Sequence, residues 1–168
     1  MKFPEYGICL YHCNVGPDWL DYNEHMNVAY YLKAFDDASE VLAAAAGMGV
    51  EYTRNTGLSW VALESHITFQ QEALLGDALR VESRVLAVDG KKLHYYQEMF
   101  RSTELLATHE QLGLAFDTGA RRSVAFSAEI HAGLEALRVA AHARPCPDWV
   151  GRAISLTRNK PTAPAFSG

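Results

Sequence analysis

Cysteine, basic charge and long apolar runs are all in short supply in this sequence, and each shortage removes a class of protein. Three cysteines, Cys9, Cys13 and Cys146, are an odd number in a chain of 168 residues. They are too few for a disulfide framework and are read as reduced thiols. No apolar run approaches the roughly 20 residues of a membrane-spanning helix, and residues 1–15 lack the charged, apolar and small-residue order of a secretory signal. A cytoplasmic protein without a membrane partner is expected. The 15 Lys and Arg are outnumbered by 20 Asp and Glu, giving a net charge of −5, which opposes the counterion release that drives nucleic-acid binding. No nucleic-acid partner is expected. Metal ligands are sparse too: Cys9-x-x-His12-Cys13 has no second cluster to complete a four-ligand site, and on a strand His12 faces away from both cysteines.

What is present is enough apolar material, 49% of the residues, for one core and one domain. Residues 6–15 read as a strand between Pro4 and Gly16-Pro17. From 28 to 46 the period changes: Val28, Tyr31, Leu32, Phe35, Ala38, Leu42 and Ala45 form one helical face, with Asn27 placed as N-cap and Gly47 and Gly49 as the stop. After a turn-rich passage ending in Asn55-Thr56-Gly57, alternating runs at 58–70, 78–88, 93–101 and 105–116 predict four long strands, with Asp89-Gly90 as a hairpin signal. A shorter amphipathic helix is expected over 128–140, capped by Ser127. Residues 1–142 are thus read as one domain, and 143–168, with Pro145, Pro147, Pro161 and Pro164, as an extended arm, partly disordered near its end. One helix cannot cover such a sheet or close its edges, so pairing of two chains is expected.

Chemistry concentrates in residues 19–27, Trp-Leu-Asp-Tyr-Asn-Glu-His-Met-Asn, where a carboxylate, an imidazole and two amides precede the main helix. The first turn of that helix, at Val28, Ala29 and Tyr30, offers N–H groups suited to an oxyanion. The same residue types also make ordinary capping loops. Trp19, Tyr22, Tyr30, Tyr31 and Trp60 gather aromatic rings nearby, and Glu64 adds a second carboxylate. Such rings attract quaternary ammonium groups, and also serve as ordinary core or interface residues. His109 and Glu110 lie in one strand, where one must point inward and needs a polar partner.

Asp21-x-Asn23-x-His25-x-Asn27, followed by Tyr31 and Phe35-Asp36, and later Gly76-Asp77-x-Leu79-x-Val81, resembles the signature of hot-dog fold acyl thioesterases. The resemblance implies an α+β hot-dog fold, a long central helix wrapped by an antiparallel β-sheet of about five strands. It also implies Asp21 as the catalytic carboxylate, with Asn23 and His25 similar to the amide and imidazole of plant acyl-carrier-protein thioesterases. Two departures stand out: Glu24 where many members have glycine, and Val28 in place of a second asparagine. The run from Asp21 to Asp36 further resembles betainyl-CoA thioesterases linked with carnitine breakdown, whose acyl group carries a trimethylammonium.

The implied activity is hydrolysis of an acyl-CoA thioester without metal or other cofactor, since a thiolate leaves readily and needs only an activated water and a stabilised oxyanion. Asp21 is open to either a general-base or a nucleophilic role, with Trp19, Tyr22, Val28, Ala29, Tyr30, Tyr31, Trp60 and Glu64 expected around the substrate. A homodimer or dimer of dimers is expected. Competing readings are a thioesterase for medium-chain or aromatic acyl groups, a hot-dog hydratase, which lacks its typical His followed by Pro-Gly here, and a non-catalytic acyl-CoA-binding protein.

Overall fold

The computed structural model describes residues 4–156. A 3-10 turn at Glu5–Gly7 leads into β1 (Cys9–Asn14), and a second at Pro17–Trp19 precedes the loop to α1 (Val28–Ala45). Then follow α2 (Val50–Thr56), β2 (Leu58–Phe69), β3 (Ala78–Val88), β4 (Lys92–Arg101), β5 (Glu104–Asp117), the two-residue β6 (Arg122–Ser123) and α3 (Ala128–Ala141). The strands form one antiparallel sheet in the order β1-β3-β4-β5-β2, with β6 beside β5. This is the α+β arrangement that the periodicity of the sequence implies.

Helix α1 begins where Asn27 caps it, its side-chain oxygen accepting from Ala29 N–H at 2.9 Å. Its face Tyr31, Ala34, Phe35, Ala38 and Leu42 is buried against the sheet. The first half of that face packs with Leu79, Val81, Met99 and Leu106, and the second half, from Leu42, packs with Val85, Leu93, Tyr95 and the α3 residues Ile130, Leu134 and Leu137. Two differences from the sequence reading have local causes. The strand read at 6–15 starts only at Cys9, because Tyr6 and Gly7 turn left-handed (φ 53° and 65°). A Cβ on Gly7 would lie 2.4 Å from Leu137 O, so the chain passes too close to α3 for any side chain. The passage at 50–56 is helical, and its Asn-Thr-Gly end is the C-cap of α2, with Gly57 at φ 71°.

Strand β2 forms one edge of the sheet. Residues 61–65 are exposed on both faces, and Val61, Leu63 and Phe69 are 38, 50 and 49% accessible. The described part of the C-terminal arm, 143–156, folds back over the sheet face opposite α1. Arg84 donates to Pro145 O at 3.1 Å, and Gly151 N–H donates to a Glu110 carboxylate oxygen at 2.7 Å. That carboxylate also meets His94 Nε2 at 2.7 Å. The part of the expected arm at 157–168, with Pro161 and Pro164, lies outside the described residues.

A polar relay runs through the core between α1 and the sheet. The side-chain amide of Gln97 donates to Phe35 O (3.0 Å) and Ser83 Oγ (2.9 Å). Its oxygen therefore accepts from His109 Nδ1–H (2.6 Å), leaving His109 Nε2 to accept from the Ser65 hydroxyl (2.6 Å). The His109 ring stacks on Phe35 at 5.0 Å. The expectation that one of His109 and Glu110 points inward and needs a polar partner holds for His109, while Glu110 lies on the opposite face of β5 and meets His94.

The loop from Leu20 to Met26 is a miniature hairpin. Leu20 and Met26 pair across it, Glu24 N–H donates to Asp21 O at 3.0 Å, and Asp21 N–H donates to His25 O at 2.9 Å. Such a three-residue turn needs a left-handed residue at its close. Glu24 fills that place at φ 64°, where glycine would sit without strain, which accounts for the glycine that many members of the resembled family carry.

Two outcomes follow from this packing. Left-handed backbone costs a non-glycine residue about 1–2 kcal/mol, partly offset by the greater unfolded-state freedom of glycine. Glu24→Gly is therefore expected to stabilise the chain by about 0.5–1 kcal/mol, raising Tm by about 2 °C in thermal melts; an unchanged or lower Tm contradicts the turn. Burial pushes the His109 imidazole from 6.5 down to about 4. Between those values the unfolded chain binds more protons than the folded one, so stability is full above pH 6.5 and falls as pH drops towards 4. In urea titrations, wild type should lose about 2 kcal/mol more than His109→Gln between roughly pH 7 and pH 4.5; equal losses would show that His109 is not buried neutral.

Candidate functional site

The turn that shapes the loop also aims its carboxylate. Asp21 Oδ1 accepts from Asn23 N–H at 2.8 Å, an Asx-type contact that fixes the side chain by its own main chain. The loop is then stitched to the segment after β2: Met26 N–H donates to Ala73 O (2.8 Å), His25 pairs with Leu74, and Asn27 N–H returns to Trp19 O (2.8 Å). An open cleft of about 560 Å³ results, with Asp21, His25 and Val28 on one side and Phe69 and Glu72 on the other.

Tyr31 forms part of the cleft wall and is held rigidly. Its hydroxyl accepts from Ala73 N–H at 2.9 Å, and its ring meets Phe69 edge to face at 5.2 Å. Burial raises its pKa above the usual phenol value, so it stays neutral. His25 Nε2 lies 3.2 Å from Glu72 Oε2, both side chains about half exposed.

At the start of α1, Ala29 N–H is taken by the Asn27 side chain and Tyr30 N–H by Asn27 O, each at 2.9 Å. Of the three amides expected to receive an oxyanion, two are thus committed to the helix cap, and Val28 N–H is left at the positive end of the helix. Val28 itself lines the cleft.

Asp21, His25, Val28 and Tyr31 are therefore brought together, while the other residues singled out in the sequence stand elsewhere. The Asn23 residue is exposed and acts on Asp21 through its backbone N–H. Tyr22 projects into solvent at 94% exposure. Trp19 and Tyr30 stack on each other at 5.3 Å, nearly parallel at 13°, against the edge of the core. Trp60 packs on Tyr95 at 5.4 Å, over Gly113, where a Cβ would strike the ring at 2.7 Å. Glu64 lines a separate depression with His66, His94, Glu110 and Arg152. Neither Trp60 nor Glu64 reaches the Asp21 cleft of its own chain. Phe69, Gln70, Gln71 and Glu72 line that cleft and were not singled out in the sequence. Their signal was the polar Gln70-Gln71-Glu72 run that breaks the alternation of β2. Among the described residues, no group of three or more His, Cys, Asp or Glu is arranged to hold a metal ion, and no helix is long and apolar enough to cross a membrane.

Comparison with known proteins agrees with this geometry. The family model of the thioesterase-like superfamily matches residues 15–134. A betainyl-CoA thioesterase from Pseudomonas aeruginosa is 36% identical over 148 residues, covering 87% of this chain and 93% of that protein. A putative thioesterase from Pseudomonas putida has a solved structure with 30% identity and a TM-score of 0.76, over 89% of this chain and 96% of the other. A hypothetical protein from Staphylococcus aureus, solved in complex with CoA, shares the fold at a TM-score of 0.84 and 23% identity, again over 89% and 96%. On these matches the chain belongs to the thioesterase-like superfamily, and it is a hot-dog fold thioester hydrolase.

Proposed function

We propose that the chain hydrolyses betainyl-CoA to betaine and free CoA, as a cytoplasmic homodimer whose catalytic unit spans residues 1–142, with 143–168 as an appended arm. The observation that carries this reading is the Asp21 carboxylate, pinned through one oxygen by Asn23 N–H and set in the same cleft as the first residue of α1. The substrate follows the relative from Pseudomonas aeruginosa, which aligns over most of both chains. The free thiols Cys9, Cys13 and Cys146 fit a reducing compartment.

In this reading the carboxylate takes a proton from a water molecule, which attacks the thioester carbonyl carbon. Negative charge develops on the carbonyl oxygen and is met by Val28 N–H and the positive end of α1. Collapse of the tetrahedral intermediate breaks the C–S bond, and the proton passes from Asp21 to the departing thiolate. His25 orients the substrate beside Glu72. The electron-withdrawing ammonium, one methylene from the carbonyl, makes the carbon more electrophilic, so no metal is needed as Lewis acid. The twelve-residue β2 edge, with Val61 and Leu63 exposed, supports pairing with a second copy about a two-fold axis, which would remove a free edge.

The test is thiol release from betainyl-CoA beside medium-chain and aromatic acyl-CoA esters. Wild type is expected to have its highest kcat/KM on betainyl-CoA, and Asp21→Asn to lose about 10²- to 10⁴-fold in kcat while melting like wild type. Light scattering on the same sample should give twice 18.6 kDa. Unchanged turnover in Asp21→Asn, or a higher kcat/KM on an uncharged acyl group, overturns the reading. Binding without thiol release points instead to a sensor, and a monomer that is fully active removes the dimer.

A further inference from the structure

In a betainyl thioester one methylene separates the quaternary nitrogen from the carbonyl carbon, a span of about 2.5 Å for two bonds of roughly 1.5 Å. Whatever recognises that charge must share a cleft with the group that attacks the carbonyl. The Trp19–Tyr30 pair does not: the two rings lie 5.3 Å apart, face to face, and neither lines the Asp21 cleft. Trp60 is committed to Tyr95.

We infer that Phe69 and Glu72, with the fixed ring of Tyr31, form the subsite that reads the trimethylammonium group of the substrate. Phe69 ends β2 beside the cleft and is 49% exposed in the single chain, lining both this cleft and a neighbouring depression with Trp149 and Arg152. A large aromatic side chain left half in water at the mouth of a cleft has a surface that an apolar, cationic group would cover. Glu72 supplies a carboxylate on the same wall, 3.2 Å from His25 through one oxygen.

The balance of charge in the cleft favours a cation. Asp21 and Glu72 line it, His25 is its one basic side chain, and no Lys or Arg lines it among the described residues. Arg101 reaches the main-chain oxygen of Glu72 at 3.4 Å, but its guanidinium is bound to Asp77 (2.6 Å) and Glu104 (2.7 Å). A quaternary ammonium has no N–H to donate. It is held by ring faces and by nearby negative charge, and each good ring contact is worth about 3- to 30-fold in binding. Phe69 provides the first, backed by the buried ring of Tyr31, and Glu72 and Asp21 the second. The rigidity of Tyr31, locked by Ala73 N–H, keeps the subsite at fixed distance from the carboxylate.

This inference rests on the betainyl-CoA reading, and one experiment separates the two. The 3,3-dimethylbutanoyl thioester of CoA has the shape of the betainyl thioester, with carbon in place of the charged nitrogen. The ratio of kcat/KM for the charged and neutral thioesters is measured in wild type, Phe69→Leu and Glu72→Gln. Their different chemical reactivity cancels when ratios are compared between enzymes, and turnover of the neutral thioester reports that each variant is folded. The ratio is expected to fall about 3- to 30-fold in each variant. A wild-type ratio well above that of alkaline hydrolysis, retained in either variant, overturns the subsite and leaves the substrate standing. A wild-type ratio no greater than that of alkaline hydrolysis overturns the substrate reading and the subsite together.

Discussion

The site depends on a few main-chain hydrogen bonds that hold the loop from Leu20 to Asn27 in one shape. Asp21 N–H to His25 O and Glu24 N–H to Asp21 O close its turn, while Met26 N–H to Ala73 O and Asn27 N–H to Trp19 O tie it to the rest of the chain. Met26 is buried at this junction, where a backbone donor must be paired, and the loop cannot relax without losing several of these bonds at once. The carboxylate of Asp21 inherits its direction from this frame through Asn23 N–H. Asn27 joins the loop to α1 a second way, by capping the helix, which takes the Ala29 and Tyr30 amides and leaves that of Val28 outside the cap.

Behind the loop, α1 must stay in register with the sheet, and the buried relay through Gln97 contributes to that. Gln97 bonds Phe35 O on the helix and Ser83 on β3, and through His109 it reaches Ser65 on the edge strand β2. An amide with each of its groups paired tolerates little sliding, because any shift leaves a buried polar atom alone. Phe35, two turns into α1, stacks on the same His109. The helix that carries Val28 and Tyr31 is thereby positioned against the strand that ends in Phe69, so the two walls of the cleft are fixed relative to each other.

Much of this was legible in the sequence. The span of α1 showed in its 3.6-residue period, the four long strands in their alternation, and Asp21 and His25 in a spacing that resembles the thioesterases. The departure at Glu24 was visible too, and its left-handed φ of 64° gives it a physical meaning. The aromatic residues were a different case. Trp19, Tyr22, Tyr30 and Trp60 are near Asp21 in sequence or on neighbouring strands, but ring orientation depends on packing, and packing turned them towards each other, solvent and core. Phe69 and Glu72 are some fifty residues from Asp21 and face it only because the chain after β2 pairs with His25 and Met26. No local pattern encodes that contact.

The account joins hydrolysis and recognition in one cleft: a carboxylate aimed by a turn, one helix-end amide, and an exposed ring with a second carboxylate for the cationic acyl group. Its most direct test is a crystal structure of Asp21→Asn, which should bind without turning over, soaked with betainyl-CoA. The account predicts the thioester oxygen within hydrogen-bond distance of Val28 N–H and the trimethylammonium against Phe69 and Glu72. An acyl group bound with its ammonium in solvent, or seated in the depression beside Glu64 and His94, would contradict it.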